Sequence, residues 1–183
     1  DYTVHINKVI PLFDANFSES FLNFHALDTV TNHSPIYIVF LLILKKISFN
    51  DTFLRLISLH LSLLLPYFFY LCLKLQYKFK VNDIKILLPA IIFISPYFRS
   101  SAFWVGSENL SLIFLSICFY FFLKYQNSKK KELSYIIFNT LFLALAAYIR
   151  PVYALFSIYF FVRYYFDLNI SRKLLFYIVA NIL

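Results

Sequence analysis

Seven apolar stretches alternate with short polar and charged segments along this chain. They cover residues 36–47, 54–73, 84–98, 102–123, 133–149, 151–166 and 173–183. A helix that crosses a bilayer needs about 20 apolar residues, because the hydrocarbon core is about 30 Å thick and each helical residue rises about 1.5 Å. Lipid offers backbone polar groups no hydrogen-bond partner, so a single segment can cross only as a helix. The pattern therefore predicts an all-α fold, that of a polytopic helical membrane protein.

Basic residues between the apolar stretches predict which side of the membrane each segment faces. Lys and Arg are enriched in cytoplasmic segments, so we place the lysine triplet 129–131 in the cytoplasm. The other cations assigned to that side are Lys74, Lys78, Lys80, Lys85, Lys124, Arg172 and Lys173. Alternating outwards from the triplet, the run 102–123 enters the cytoplasm, 84–98 leaves it and 54–73 enters it. Residues 1–35 then form an extracytoplasmic loop.

The run 36–47 holds 12 residues and would reach only about 18 Å as a helix, which is too short to span. On this threading it is a juxtamembrane helix on the outer surface, with Lys45 and Lys46 reaching the headgroups. The alternative, in which 36–47 spans, would turn the N-terminal loop to the cytoplasm. We expect one partial transmembrane domain over 1–183, in which residues 54–183 form five transmembrane helices and the start of a sixth. Because the chain has no Met and opens within a polar stretch, we expect a piece of a longer protein.

The composition supports a membrane protein and argues against a nucleic-acid partner. Hydrophobic residues make up 61% of the chain and charged residues 14%, whereas a soluble domain carries about 25% charged residues. The net charge of +8 arises from short clusters between apolar runs, so we expect no nucleic-acid binding. Cys72 and Cys118 lie within apolar runs, where a thiol behaves as a small hydrophobic group. We therefore expect neither a disulfide nor a metal site from them.

Three polar segments fall on the predicted outer side. The first is loop 1–35, whose carboxylates and imidazoles are Asp1, Asp14, Glu19, Asp28, His5, His25 and His33. A carboxylate at the membrane surface can act as general base on an acceptor hydroxyl, although the acids of a solvated loop need have no role. These side chains follow no metal-ligand spacing, so we assign no metal ligands.

The second and third segments place charged side chains at the membrane border. Arg99, Glu108 and Asn109 lie between two predicted spans, and charged groups at this depth are usually paired or functional. Arg99 could instead extend to the headgroups, whereas a carboxylate such as Glu108 gains nothing from them. Arg150, between two later runs, could grip a phosphate through its planar guanidinium or contact a headgroup at a hairpin tip. Both interpretations of Arg150 stay open.

The sequence Thr31-Asn32-His33-Ser34-Pro35-Ile36-Tyr37 stands where the polar loop gives way to apolar sequence. This His-x-Pro-apolar-Tyr step resembles the end of the first extracytoplasmic loop in GT-C membrane glycosyltransferases. That broad family includes the dolichyl-phosphate-mannose protein mannosyltransferases and the bacterial lipid A aminoarabinose transferases. The resemblance implies that an acid near the start of the loop, here Asp1, is the catalytic base. It also implies an acid in the second outer loop, matched by Glu108, and a basic residue near the outer end of a later span, matched by Arg150.

The function implied by the resemblance is transfer of a sugar from a polyprenyl-phosphate donor to an extracytoplasmic acceptor by inverting displacement. The partners would be the lipid-linked sugar and membrane lipid, in the bacterial inner (plasma) membrane, and a divalent metal cofactor is left open. We expect Asp1 and Glu108 to be catalytic. The candidate ligands of substrate and phosphate are His33, Arg99, Asn109 and Arg150.

Two alternatives belong to other functional classes. One is a non-catalytic polytopic protein that handles lipid-linked glycans, as a flippase or a polymerase does, and the other is a transporter. A transporter should have interrupted spans with charges at mid-depth, whereas the polar residues of this chain gather at the predicted outer face. This distribution favours surface chemistry on a lipid-linked donor.

Overall fold

The computed structural model describes residues 9–24, 34–47, 50–78 and 84–168, and every element within these ranges is a helix. In chain order the elements are α1 (Ile10–Ala15), α2 (Phe17–Leu22), α3 (Pro35–Ile47), α4 (Asp51–Ser62), α5 (Leu64–Tyr77), a 3₁₀ helix (Ile84–Ile94), α6 (Pro96–Phe103), α7 (Ser107–Asn127), α8 (Leu133–Ile149), a 3₁₀ turn (Pro151–Ala154) and α9 (Leu155–Asp167). The predicted all-helical fold is confirmed for these residues.

Two of the described helices are long and apolar enough to cross a membrane. One is the run Asp51–Tyr77, which joins α4 and α5 over 27 residues, and the other is α7 with 21 residues. At about 1.5 Å per residue α7 is about 31 Å long, close to the thickness of a hydrocarbon core. Helix α8 is apolar but shorter, at 17 residues. The arrangement of five spans and the start of a sixth stays a prediction.

The long run Asp51–Tyr77 is interrupted at Leu63, between α4 and α5. Pro66 explains the position, because a proline has no N–H to donate to the carbonyl four residues earlier and its ring crowds that carbonyl. Here that carbonyl belongs to Ser62, the last residue of α4. Pro66 therefore determines where the run is interrupted.

The apolar run 84–98 is divided into two helical pieces at its prolines. Residues Ile84–Ile94 form a 3₁₀ helix that contains Pro89, and α6 begins afresh at Pro96. Ser95 caps α6, since its hydroxyl accepts the N–H of Phe98 at 3.3 Å. At about 2.0 Å per residue the 11-residue 3₁₀ helix reaches about 22 Å. The two prolines divide a segment that apolarity alone would join.

Helices α5 and α7 lie side by side and run in the same direction. Asn109 near the start of α7 donates to Ser62 at the end of α4, and Asn127 at the end of α7 approaches the Leu75 carbonyl near the end of α5, at 3.5 Å. A parallel pair requires the intervening chain to return. The 3₁₀ helix and α6 form the described part of that return.

Helix α8 packs against α7 in the opposite direction, after the loop 128–132. The buried Asn139 amide donates to the Cys118 carbonyl at 2.9 Å and thereby fixes the register of the two helices. At the loop, Lys131 lies 3.7 Å from Asp167 at the end of α9. The loop end of the α7–α8 hairpin is thus joined to the end of α9.

Residues within the predicted outer loop 1–35 include two short helices, α1 and α2, that the sequence interpretation did not anticipate. Asn16 ends α1 and caps α2: its side chain accepts the Glu19 N–H at 3.4 Å and donates to the Glu19 carboxylate at 2.7 Å. The Asn-x-x-Glu spacing is a form of capping box. Glu19 therefore has a structural role in the folded loop.

Helix α3 is more deeply packed than a helix that merely rests on a surface. Six of its 13 residues are buried, and its apolar side chains join those of α1, α4 and the turn before α7 in one cluster. The buried members contributed by α3 are Tyr37, Ile38, Leu41, Leu42 and Leu44. At 13 residues it extends about 20 Å, in keeping with the predicted length of a non-spanning helix. Its orientation along the membrane surface stays a prediction.

Candidate functional site

Glu108 and Arg150 form an ion pair at the end of the α7–α8 hairpin that lies away from the loop 128–132. The Arg150 Nη2 group also donates to the hydroxyl of the buried Ser107, at 3.3 Å. The Arg150 side chain is 34% exposed and the Glu108 side chain is 30% exposed, so solvent reaches part of the pair. The antiparallel hairpin brings them together because α7 begins at Ser107 and α8 ends at Ile149.

The helix ends themselves favour this pair. Glu108 stands in the first turn of α7 and Arg150 is the C-cap of α8. The N-terminus of a helix carries partial positive charge and the C-terminus partial negative charge. Each side chain therefore meets a complementary helix end as well as its partner.

The turn before α7 has an unusual backbone at Val105, whose φ is +54°. A left-handed conformation costs a residue with a side chain about 1–2 kcal/mol, yet burial of a valine contributes about 1.5–3 kcal/mol. Val105 is 2% exposed, so its burial outweighs the strain. The turn is closed by the Gly106 N–H, which donates to the Ser101 carbonyl at 2.7 Å, in the pattern of a Schellman motif.

Tyr37, near the start of α3, is bound to this turn. Its hydroxyl donates to the Val105 carbonyl in a buried hydrogen bond that joins residues 68 positions apart. Through it the Ser34–Pro35–Tyr37 entry into α3, part of the segment carrying the family resemblance, lies beside the turn that presents Glu108. Tyr37 thus connects two segments that the sequence interpretation treated separately.

Gly106, the only glycine in the chain, is required here by lack of room. A Cβ at this position would stand 2.2 Å from Ser101 Oγ and 3.0 Å from Glu108 Oε2. Its φ of −71° is accessible to any residue. Close approach of the Ser101 and Glu108 side chains therefore explains the glycine, and backbone freedom does not.

Asn109 is turned towards α4, away from the ion pair. Its amide nitrogen donates to the Ser62 hydroxyl, which in turn donates to the Ser58 carbonyl at 2.7 Å. Consecutive helical residues point about 100° apart, so Glu108 and Asn109 occupy different faces of α7. In the structure Asn109 links α7 to the bend at Leu63. Its role in binding substrate stays a prediction.

Several buried polar atoms on the converging segments have no hydrogen-bond partner among the described residues. They are Ser34 Oγ, Ser101 Oγ, Asn109 Oδ1 and Arg150 Nε. Buried polar groups are nearly always satisfied in native proteins, so each such group requires an explanation. Asn139 Oδ1, in the middle of the α7–α8 hairpin, also has no partner among the described residues, and Asn109 faces α4, so these atoms do not single out one site.

The other predicted site residues are not all part of this arrangement. Arg99 lies exposed on α6 and makes no side-chain hydrogen bond or ion pair with the described residues. Asp1 and His33 lie outside the described residues. Within the ranges that the structure describes, no group of three His, Cys, Asp or Glu side chains could hold a metal ion.

The sequence interpretation missed the residues that shape the site. The sequence pattern identifies Tyr37 only as part of a motif and gives no reason to single out Ser101, Gly106 or Ser107. One signal was present, because a chain with a single glycine places it two residues before the candidate acid Glu108.

Comparison of the chain with protein-family models, with curated proteins and with solved structures found no match.

Proposed function

We propose that this chain is part of a polytopic membrane glycosyltransferase of the GT-C type, in a bacterial inner membrane. It would transfer a sugar from a polyprenyl-phosphate donor to an extracytoplasmic acceptor, with inversion at the anomeric carbon. The observation that carries the proposal is the Glu108–Arg150 pair, held beside the entry to α3 by Tyr37.

The pair supports a phosphate-handling site. A guanidinium presents a planar set of donors that suits a phosphate group, and Arg150 Nε has no partner among the described residues. Because the pair is about one-third exposed, a ligand can reach it without disruption of the hydrophobic clusters. The Glu108 carboxylate offsets the charge of Arg150, so the guanidinium would stabilise the departing polyprenyl phosphate by hydrogen bonds from its remaining N–H groups.

In the proposed mechanism Asp1 removes the proton from the acceptor hydroxyl. The acceptor oxygen then forms a bond to the anomeric carbon while the bond from that carbon to the phosphate oxygen breaks. The departing polyprenyl phosphate keeps the electron pair and meets Arg150, with Arg99 and His33 as further cations. Glu108 orients Arg150 and the acceptor, since its carboxylate is already bound to the guanidinium.

The test is transfer from a radiolabelled polyprenyl-phosphate sugar by membranes that contain the full-length protein. Removal of a placed general base costs about 10²–10⁴ in rate, so Asp1→Asn should nearly abolish transfer. Arg150→Gln and Glu108→Gln should each lower it strongly. Lys130→Ala, an exposed lysine in the hairpin loop at the other end of α7, is the control and should keep normal transfer.

The outcomes separate the candidate functions. Normal transfer by both Asp1→Asn and Glu108→Gln would show that these carboxylates are not the catalytic groups. If the wild-type protein consumed no lipid-linked sugar, the proposal would be replaced by a non-catalytic protein that handles lipid-linked glycans, or by a transporter.

A further inference from the structure

An open cleft lies between α4 and the end of α6, with a volume of about 490 Å³. Most of its wall is apolar and exposed, and one end is polar. The apolar lining consists of Phe53, Leu56, Leu59 and Phe103, and the polar lining consists of Asn50, Thr52 and Arg55. Asn50 is the N-cap of the long run Asp51–Tyr77, and Thr52 and Arg55 lie in its first turns. The apolar wall continues from them along that helix.

Arg55 is the charged group of the cleft, and its guanidinium lies over two aromatic rings. The guanidinium carbon is 4.3 Å from the centroid of Trp104 and 5.4 Å from that of Phe103. Aromatic contacts of this kind hold a guanidinium in place by cation–π attraction. Arg55 is half-buried within a helix that is long and apolar enough to span, and ionisable residues in such helices usually mark functional positions.

The cleft therefore combines a fixed cation with an apolar wall that runs into the membrane. Leu56 and Leu59 are 49% and 42% exposed, and Phe53 is 44% exposed. On a spanning helix these side chains face hydrocarbon. A ligand that fits both parts has an anionic head and a long apolar tail.

We propose that this cleft binds an anionic membrane phospholipid, with its phosphate on Arg55 and an acyl chain along the exposed face of α4. Charge complementarity and the planar guanidinium favour a phosphate head over a neutral one. The bulk bilayer lipid is the favoured source because the cleft opens on the exposed face of α4. This site is formed by other side chains than the Glu108–Arg150 pair, so it does not depend on the proposed transferase activity.

Trp104 is the only tryptophan in residues 1–183, and its ring lies against the Arg55 guanidinium. The part of the quenching that Trp104→Phe removes therefore reports on lipid beside Arg55. The experiment titrates the full-length protein in detergent with phosphatidylglycerol whose acyl chains carry bromine, which quenches an indole on contact. Diacylglycerol with the same brominated chains, which has no phosphate, is the matched probe for the head group. A charge-assisted hydrogen bond corresponds to a preference of about tenfold or more, so phosphatidylglycerol should half-quench Trp104 at an about tenfold lower lipid fraction.

Variants at position 55 test whether the preference for phosphatidylglycerol depends on Arg55. Arg55→Gln should remove it, and Arg55→Lys, which keeps the charge but loses the planar fork, should leave an intermediate preference. Arg163→Gln, an exposed arginine on α9, should keep the full preference.

Three results would overturn the proposal: equal quenching of the wild-type protein by both lipids, a preference that survives Arg55→Gln, or displacement of the brominated probe by an isoprenyl monophosphate but not by unbrominated phosphatidylglycerol. The last result would assign the cleft to a carrier lipid. If Arg55→Gln fails to fold, the proposal is still tested by the comparison of the two head groups on the wild-type protein and by Arg55→Lys.

Discussion

At the scale of single residues, Glu108 and Arg150 are positioned by helix ends rather than by a flexible loop. Each stands within one residue of the end of its helix, and the turn that precedes Glu108 is held by the Tyr37 hydroxyl and the Gly106 amide. An exposed ion pair is worth little by itself, about 0–1 kcal/mol. The geometry of this pair therefore depends on the packed turn and not on the attraction between the two charges.

Gly106→Ala tests that packed turn. Alanine lowers the entropy of the unfolded chain, which would stabilise the protein by about 0.4–1 kcal/mol, but overpacking costs about 1–3 kcal/mol. Because the new Cβ would stand 2.2 Å from Ser101 Oγ, overpacking should dominate. We expect a lower unfolding midpoint for the purified protein in detergent.

Ser101→Ala provides the matched background for this substitution. It removes Oγ and leaves Ser101 Cβ, at 3.1 Å from the new carbon, as the remaining close atom. The double variant should recover most of the lost stability, since the two sites share the contact. If Gly106→Ala alone were as stable as wild type, lack of room would not explain the glycine.

At the scale of elements, the α7–α8 hairpin carries the candidate site because its register is fixed along its whole length. Asn139 bonds to Cys118 in the middle, and stacked aromatic rings such as Phe121 and Phe142, with centroids 5.9 Å apart, pack beside it. A shift of one residue in this register would separate the two members of the ion pair. Packing at the centre of the hairpin therefore determines where Glu108 and Arg150 lie at its end.

Asn139→Ala should lower the stability of this hairpin. Hydrogen bonds between helices in membranes contribute about 0.6 kcal/mol on average and up to about 1.7, and loss of the buried side chain adds a cavity cost. We expect a loss of about 1–2 kcal/mol in the free energy of unfolding, measured by denaturation in detergent micelles. Ser134→Ala, an exposed position on the same helix, should change little. Equal effects of the two substitutions would show that the Asn139 contact does not determine the packing.

At the scale of the whole molecule, the charges are divided between its two ends. Lys74 and Lys124 lie in the last turns of α5 and α7, and the lysine triplet 129–131 follows at once. The Glu108–Arg150 pair lies at the other end of α7. This separation agrees with the tendency of Lys and Arg to remain on the cytoplasmic side, and the predicted threading would put the pair on the outer side.

Cysteine labelling tests whether α7 crosses the membrane. Ser100→Cys, on the exposed surface of α6, and Lys130→Cys, in the hairpin loop, would each be made in a protein with Cys72→Ala and Cys118→Ala. A membrane-impermeant maleimide should label Ser100→Cys on intact cells and Lys130→Cys only after permeabilisation. Labelling of both positions from the same side would contradict the threading, and the protein without cysteines should remain unlabelled.

Sequence patterns alone were enough for the helical class and the clustering of cations, and two of the predicted spans, 54–73 and 102–123, overlap the helices that are long enough to cross a membrane. These properties are sums over neighbouring residues, so apolar run length and charge position report them directly. Proline positions also carried information, since Pro66 and Pro89 lie where regular helix is interrupted or replaced. The run 84–98 is divided at Pro89 and Pro96, as expected of prolines within a predicted span, although hydropathy alone does not register them.

Which polar residues meet depends on the tertiary structure. The sequence identified Glu108 and Arg150 as candidates, but their contact depends on the length of the loop 128–132 and on the register of two helices. It could not have placed Val105 in a left-handed turn either, because a valine adopts that backbone only where burial and the Tyr37 hydrogen bond offset the strain. The physical reason is the same in each case. The periodicity of apolar residues along a helix indicates which of its faces is buried. Contacts between distant segments depend instead on how the buried faces of different helices pack together.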